Sequence, residues 1–359
     1  MGILWKENWE ETKRHFIDWW DRKGTVISIH GSPLTNLARP REDLADPGWP
    51  DSRTRFSDPG RQSRRSRYEA SRTSFVADNL PFGYIDQGPG SLALYLGSPA
   101  DFGSDSLWYK PCISDPETYG TLSLDVSNEW WQRAEQTGRL LKEESRDNYF
   151  VGLPDIIENI DVLASLRGSE ELMMDMLLRP DWVKEKVWEI NAAFFDVYDR
   201  LYEIVKLPDA SSIFSAFCLW GPGKVAKVQC DASAMFGPDQ FAEFVLPALT
   251  AQCEWLDRSM YHLDGTQAIC HLDALCSIEA LDAIEWTPQA GLPGGSNSRW
   301  HPLYRTILDA GKSLQIFAEK KELPALLDKI GAKGVYMFVY GVDTPDEYDD
   351  MMKLVEKYR

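Results

Sequence analysis

The sequence predicts a mixed α/β fold, a (β/α)8 TIM barrel with an N-terminal helical extension and a long irregular insertion. Three observations predict it. From residue 259 onward, short apolar runs alternate with amphipathic segments at a regular pitch. That rhythm implies parallel strands joined by right-handed crossovers. The length of 359 residues suits one barrel domain spanning 1–359. Neither a dinucleotide-binding nor a P-loop glycine fingerprint occurs, so nothing favours an open nucleotide-binding sheet.

The elements follow in order. Residues 4–23 read as an amphipathic helix carrying Trp5, Trp9, Phe16, Trp19 and Trp20, and 25–29 as a β-branched strand. The stretch of about 32–67 is rich in Pro, Ser, Asp and Arg and reads as irregular, either a solvated insertion or a lid. Residues 79–99 place turn residues around an apolar run. Residues 127–147 read as a helix and 149–154 as a strand. Two helices follow, 160–178 and 180–206, broken at Arg179-Pro180-Asp181. Residues 213–220 read as one buried strand ended by Gly221-Pro222-Gly223, and 240–260 as a helix interrupted near Pro247. Strands at 259–263, 283–286, 313–318 and 334–340 then alternate with helices at 266–280, 301–311, 321–331 and 344–357.

Composition excludes several classes. The net charge of −18 opposes a nucleic-acid partner, which would call for a basic footprint. No apolar run approaches a membrane span, and the first residues lack a signal-peptide core, so a cytoplasmic protein without membrane contact is expected. The six cysteines form no CxxC pair, in keeping with a reduced compartment. Fourteen tryptophans supply core packing, and aromatic walls also suit a flat, partly apolar ligand.

Active sites of α/β barrels gather at the C-terminal ends of the strands, so polar residues there carry the most weight. Of five histidines, His262 and His271 lie at one strand end and its following helix, accompanied by Asp264 and Asp273. The next strand ends at Glu285-Trp286. His262, Asp264 and Glu285 are expected to face one space. An imidazole with two carboxylates suits a divalent metal such as zinc, an acid/base group without metal, or a polar layer that fixes the barrel end. Asp231, after the Gly-Pro-Gly turn, is a mouth candidate or a helix cap. His271 and Asp273 are candidate orienting groups or caps. The catalytic candidates are therefore His262, Asp264, Asp231 and His271. The candidate contacts to a small-molecule substrate are Tyr261, Trp220, Trp286, Gln87 and Asp273. Asp155 and Glu158, after the 149–154 strand, are weaker candidates.

The segments YHLDG (261–265), HLDAL (271–275) and DAIEWTPQAG (282–291) are joined by PFGYIDQGPGSLALYLGSP (81–99), DIIENIDVLASLRGSEELMMDMLLRPDWV (155–183) and LWGPGKVAKVQCDASAMFGPDQFAEFVLPAL (219–249). In these the chain resembles the uroporphyrinogen decarboxylase superfamily, nearest its decarboxylase-like branch, over nearly its whole length except about 32–67. The resemblance implies a (β/α)8 barrel and one of two chemistries. These are cofactor-free decarboxylation of tetrapyrroles and zinc-dependent methyl transfer between corrinoids and thiols. Against the methyltransferase pattern, His262 matches the histidine and Glu285 the glutamate, but Asp264 stands where the first cysteine would be. The last-strand region 335–345 has no cysteine. The soft ligands of a zinc–thiolate centre are thus missing. The arginine-rich segment of the decarboxylases is not matched at His30-Gly31-Ser32.

The resemblance makes a methyltransferase or demethylase component the first expectation, with a corrinoid as substrate or as the cofactor of a partner corrinoid protein. The alternative is a lyase in which Asp231 or Asp264 stabilises a developing cation. A third reading is a non-catalytic corrinoid- or tetrapyrrole-binding protein. A homodimer is compatible with each.

Overall fold

A computed structural model describes residues 4–358. Twelve strands run in chain order: β1 (Thr25–Ile29), β2 (Phe82–Tyr84), β3 (Ala100–Phe102), β4 (Leu107–Tyr109), β5 (Phe150–Gly152), β6 (Ser212–Phe214), β7 (Leu219–Gly221), β8 (Val225–Gln229), β9 (Arg258–Asp264), β10 (Ala283–Thr287), β11 (Ser313–Glu319) and β12 (Val335–Tyr340). Six of them form a parallel sheet in the order β1-β12-β11-β10-β9-β8. Strands β2 and β5 pair in parallel, while β3–β4 and β6–β7 are antiparallel hairpins. The predicted parallel α/β class is therefore present. The eight-stranded barrel is not seen as one continuous hydrogen-bonded ladder. Among the described residues no helix is long and apolar enough to cross a membrane.

The helix Trp9–Trp20 covers the N-terminal end of the sheet. Trp19 Nε1 donates to the Leu314 carbonyl (3.2 Å) and Trp20 Nε1 to that of Trp220 (2.9 Å). Both indoles thereby bury their rings and still satisfy their N–H groups.

The stretch of about 32–67 departs from expectation in its second half. Ser52–Ser57 and Pro59–Ala70 are helices. The residues that suggested irregularity are their start signals. Asp51 accepts from Thr54 N (2.8 Å), Asp58 accepts from Arg61 N (2.9 Å), and Pro59 occupies the first helical position. The arginines are structural as well. Arg67 is buried, paired with Glu42 and bonded to the Glu144 carbonyl (2.6 Å).

A second difference concerns 213–220. This is not one strand but the β6–β7 hairpin, turned through Ala216–Cys218 with Phe217 (φ 57°) and Cys218 (φ 48°) in left-handed backbone conformations. Apolar content alone cannot distinguish a straight strand from a tight hairpin buried on all sides. The next element, β8, was missed because Lys227 interrupts its apolar pattern. The helix expected at 240–260 runs in pieces, with a π-helical stretch at Phe241–Val245 ahead of Pro247.

Where strands lack neighbours, side chains take over their backbone groups. Asp78 Oδ2 accepts from Ile27 N (2.9 Å) and Asn79 Oδ1 accepts from Ile29 N (2.8 Å) along the free edge of β1. At β8, Ser212 Oγ accepts from Val225 N (3.2 Å) and Glu158 Oε1 from Gln229 N (2.5 Å). Asp78 is buried and its other oxygen meets His15 Nδ1 at 2.8 Å. Asp78→Ala leaves a buried amide unsatisfied, so it is expected to cost about 2–3 kcal/mol. A urea unfolding midpoint indistinguishable from the parent protein would show that this bridge does not support β1.

Candidate functional site

Parallel register lines up one row of side chains across the sheet. Gln229 pairs with His262, His262 with Glu285, Glu285 with Gln315, and Gln315 with Tyr336. Paired residues in a parallel sheet point to the same face, so this is a continuous polar layer. The β6–β7 turn plugs it. Gln315 Nε2 donates to the Phe217 carbonyl (2.8 Å), Tyr336 Oη to that of Cys218 (3.2 Å), and the Phe217 ring lies 4.7 Å from the His262 ring. The left-handed residues of that turn are what aim two carbonyls into the layer.

Toward the C-terminal ends of the strands, ligand atoms of Asp231, His262 and Asp264 lie within 4.8 Å of one another. His262 and Asp264 are two residues apart on β9 and so share a face, while Asp231 comes from the short helix Asp231–Met235 after β8. Glu285 is not in this group. It is fully buried behind it, accepting from His262 Nδ1 and from Thr287 Oγ1 (2.8 Å). The bond at Nδ1 leaves Nε2 for the mouth. Burial by itself depresses the His262 pKa, but the charge and hydrogen bond of Glu285 outweigh it and the net direction is upward. Asp231 is open to solvent at its rim, yet its carboxyl faces protein below. Desolvation, with the nearby charge of Asp161, pushes it up to about 6.

A buried array supports the trio. Lys227 Nζ pairs with Asp155 Oδ1 (2.9 Å) and donates to Gln229 Oε1. That contact turns the Gln229 amide so that Nε2 donates to both Asp231 Oδ2 and Asp161 Oδ2 (2.9 Å each). Asp161 also accepts from the backbone of Asp231 (2.8 Å) and Ala232 (2.9 Å), holding that short helix in place. Glu158 is fully buried, and desolvation raises it from 4.5 to about 8 against the opposing pull of Lys227. With Asp155 balancing Lys227, Glu158 keeps its proton at neutral pH. The folded state then binds a proton that the unfolded state has lost. Stability should therefore fall as pH rises from about 4.5 to about 8, and Glu158→Gln should flatten that slope. Unfolding curves across this range, with parallel slopes for both proteins, would contradict the assignment.

The remaining candidates lie elsewhere. Tyr261 and Trp286 are buried, and strand alternation points them away from His262 and Glu285. Trp286 packs on Trp300 at 5.0 Å. Trp220 is buried against Trp9 and Phe16 under the N-terminal helix. Gln87 is buried, bonded to Tyr95 Oη (2.7 Å) and the Trp130 carbonyl (3.1 Å). His271 stacks on Phe241 (4.4 Å) and its Nε2 meets the Ser233 carbonyl (3.0 Å), outside the trio. Asp273 is exposed on the helix Leu272–Ser277. Lys227, Gln229 and Asp161 were the residues missed. A lysine inside the run Val225-Ala226-Lys227-Val228 was the available signal.

Fold and site together define a parallel α/β protein with an acid–imidazole group at the C-terminal ends of its strands. No family model matches the chain, and no curated protein matches its sequence. Among solved structures, a methyltransferase from Methanosarcina mazei is similar over 97% of this chain and 98% of its own, with a TM-score of 0.61 and 10% identity. The two share a fold. A mandelate racemase/muconate lactonizing enzyme from Jannaschia sp. CCS1 overlaps 90% of this chain and 56% of its own at a TM-score of 0.35 and 10% identity, a level that carries no weight.

Proposed function

We propose that the chain is a methyltransferase-like enzyme of the uroporphyrinogen decarboxylase superfamily. Its strands β1, β2, β5 and β8 to β12 are read as a (β/α)8 barrel, interrupted by the β6–β7 hairpin and by the Asp78-Asn79 bridge. One observation carries the functional reading: the convergence of Asp231, His262 and Asp264 at the strand ends, with Glu285 behind the imidazole. The full-length likeness to a solved methyltransferase supports it.

The donor set fits a divalent ion. Two carboxylates and one imidazole nitrogen would hold it, and the absence of thiolates favours a harder ion than a zinc–thiolate centre takes. Bound there, such an ion supplies Lewis-acid polarisation of an acceptor or donor atom. Glu285 fixes the His262 tautomer and raises its basicity, as carboxylate partners of ligating histidines do. Gln229 holds the Asp231 carboxylate. Phe317 and Tyr340, part-exposed with ring centroids 6.1 Å apart and backed by the buried Phe338 ring 5.1 Å from Phe317, provide an aromatic surface for a flat ligand such as a corrinoid, free or carried by a partner protein.

The test is elemental analysis of the purified protein beside its His262→Ala form, followed by absorbance titration with a methylated corrinoid in the presence of a thiol as methyl acceptor. The reading expects stoichiometric metal that the variant loses, and spectral conversion that depends on it. Metal-free protein with an unchanged corrinoid spectrum would end it. The raised Asp231 carboxyl favours a second reading, a metal-free lyase. Release of carbon dioxide from a tetrapyrrole-like acid by metal-free protein would establish that instead.

A further inference from the structure

A cavity of about 760 Å³ opens beside the trio, and Asp231 and Gln229 belong to its wall. Its charge is one-sided. Among the described residues, Asp161 and Asp231 are the only charged side chains lining it, and no Lys, Arg or His does. Lys227, whose field reaches Asp231, is buried and occupied by Asp155 and Gln229. An anionic ligand would meet the fixed carboxylate of Asp161, and that of Asp231 wherever no metal claims it, with no basic side chain to offset them, at a cost that the chain's net charge of −18 only increases.

Part of the wall is aromatic. Trp108 and Tyr109 of β4 line the cavity, and Trp108 is 68% exposed. The ring of Tyr109 is fixed by its hydroxyl, which donates to the Pro89 carbonyl at 2.7 Å. Met235, 53% exposed, stands at the same cavity. Trp108 and Met235 thus place exposed apolar surface on the wall of a concave site, the setting in which such surface serves ligand binding.

We propose that this cavity binds an organic cation of the alkylated-ammonium class, with Trp108 and Tyr109 as its aromatic wall and Asp161 as a fixed counter-charge. The satisfied state of Asp161 favours a quaternary ammonium over a primary one. Oδ1 already accepts from Ala232 N, and Oδ2 from Asp231 N and Gln229 Nε2. That carboxylate offers charge while its acceptor sites are largely taken. A primary ammonium or a guanidinium needs directed acceptors, whereas a quaternary nitrogen needs only negative potential and aromatic faces. That the cation serves as a methyl donor, its C–N bond breaking to release the tertiary amine as a reduced corrinoid accepts the methyl, rests on the methyltransferase-like reading above. The binding itself rests on the cavity.

Calorimetric titration of the full chain with choline, and with its uncharged tert-butyl analogue, separates charge from shape. Choline should bind about tenfold more tightly than the analogue, and Trp108→Ala should weaken choline by roughly five- to tenfold. Trp108 is exposed enough for its variant to fold, which far-UV circular dichroism checks. Equal or tighter binding of the analogue overturns the proposal, and so does choline binding that ignores Trp108→Ala. Metal content and corrinoid conversion are measured on the same samples. Choline binding that persists while both of those fail removes the methyltransferase reading and leaves the cation site standing.

Discussion

Lys227→Met is expected to destabilise the protein by about 3–5 kcal/mol, the cost of stripping a buried charge of its partner. Lys227 is fully buried on β8, paired with Asp155 at 2.9 Å and bonded to Gln229. Methionine fills similar volume, so a cavity term is small and the loss isolates the charge. The remaining carboxylate of Asp155 would stand beside Glu158 and Asp161 without compensation. Adding Asp155→Asn to Lys227→Met should recover much of the stability, because a buried pair removed together costs far less than one member removed alone. Chemical denaturation of the single and double variants reads this directly. A single variant as stable as the parent would mean that water, rather than Lys227, satisfies the array.

The second large effect falls on function. On the proposed methyltransferase reading, His262→Ala should abolish metal retention and lower methyl transfer by at least about 100-fold, while Glu285→Gln should weaken metal affinity by about 10- to 100-fold. The second change keeps a hydrogen-bond acceptor at Nδ1 but removes the charge that makes Nε2 a better donor. The pH dependence has a definite sign. The net upward shift of His262 keeps the ring protonated to higher pH, and a protonated ring cannot ligate. Asp231, at about 6, must also lose its proton. Metal occupancy should therefore hold at alkaline pH and fall as acidification protonates first the raised His262 ring and then, near pH 6, Asp231. Occupancy that rises on acidification would show that the trio is not the ligand set.

Much of this site is legible in the sequence. His262 and Asp264 are separated by two residues in a strand, so alternation alone puts them on one face. Their place at a strand C-terminus followed from the strand–helix rhythm. That same alternation, applied one residue further, already excluded Tyr261 and Trp286 from the face of His262 and Glu285. Their aromatic character had suggested a ligand wall instead. The insertion was misread for a related reason. Asp, Ser and Pro favour both loops and helix starts, and only the spacing Asp51…Thr54 and Asp58…Arg61 shows which applies.

Local periodicity thus determined the parallel α/β class, the strand–helix alternation from β9 onward and the face shared by His262 and Asp264. The tertiary structure alone decided the third member of the group. Whether Glu285 or Asp231 joins His262 and Asp264 at the mouth depends on strand register, on how far the loop after β8 reaches over the strand ends, and on which nitrogen of the ring is already taken. Register and loop reach are set by long-range pairing and by buried ions such as Lys227 and Asp155, which lie 72 positions apart in the chain. No window of neighbouring residues contains that information.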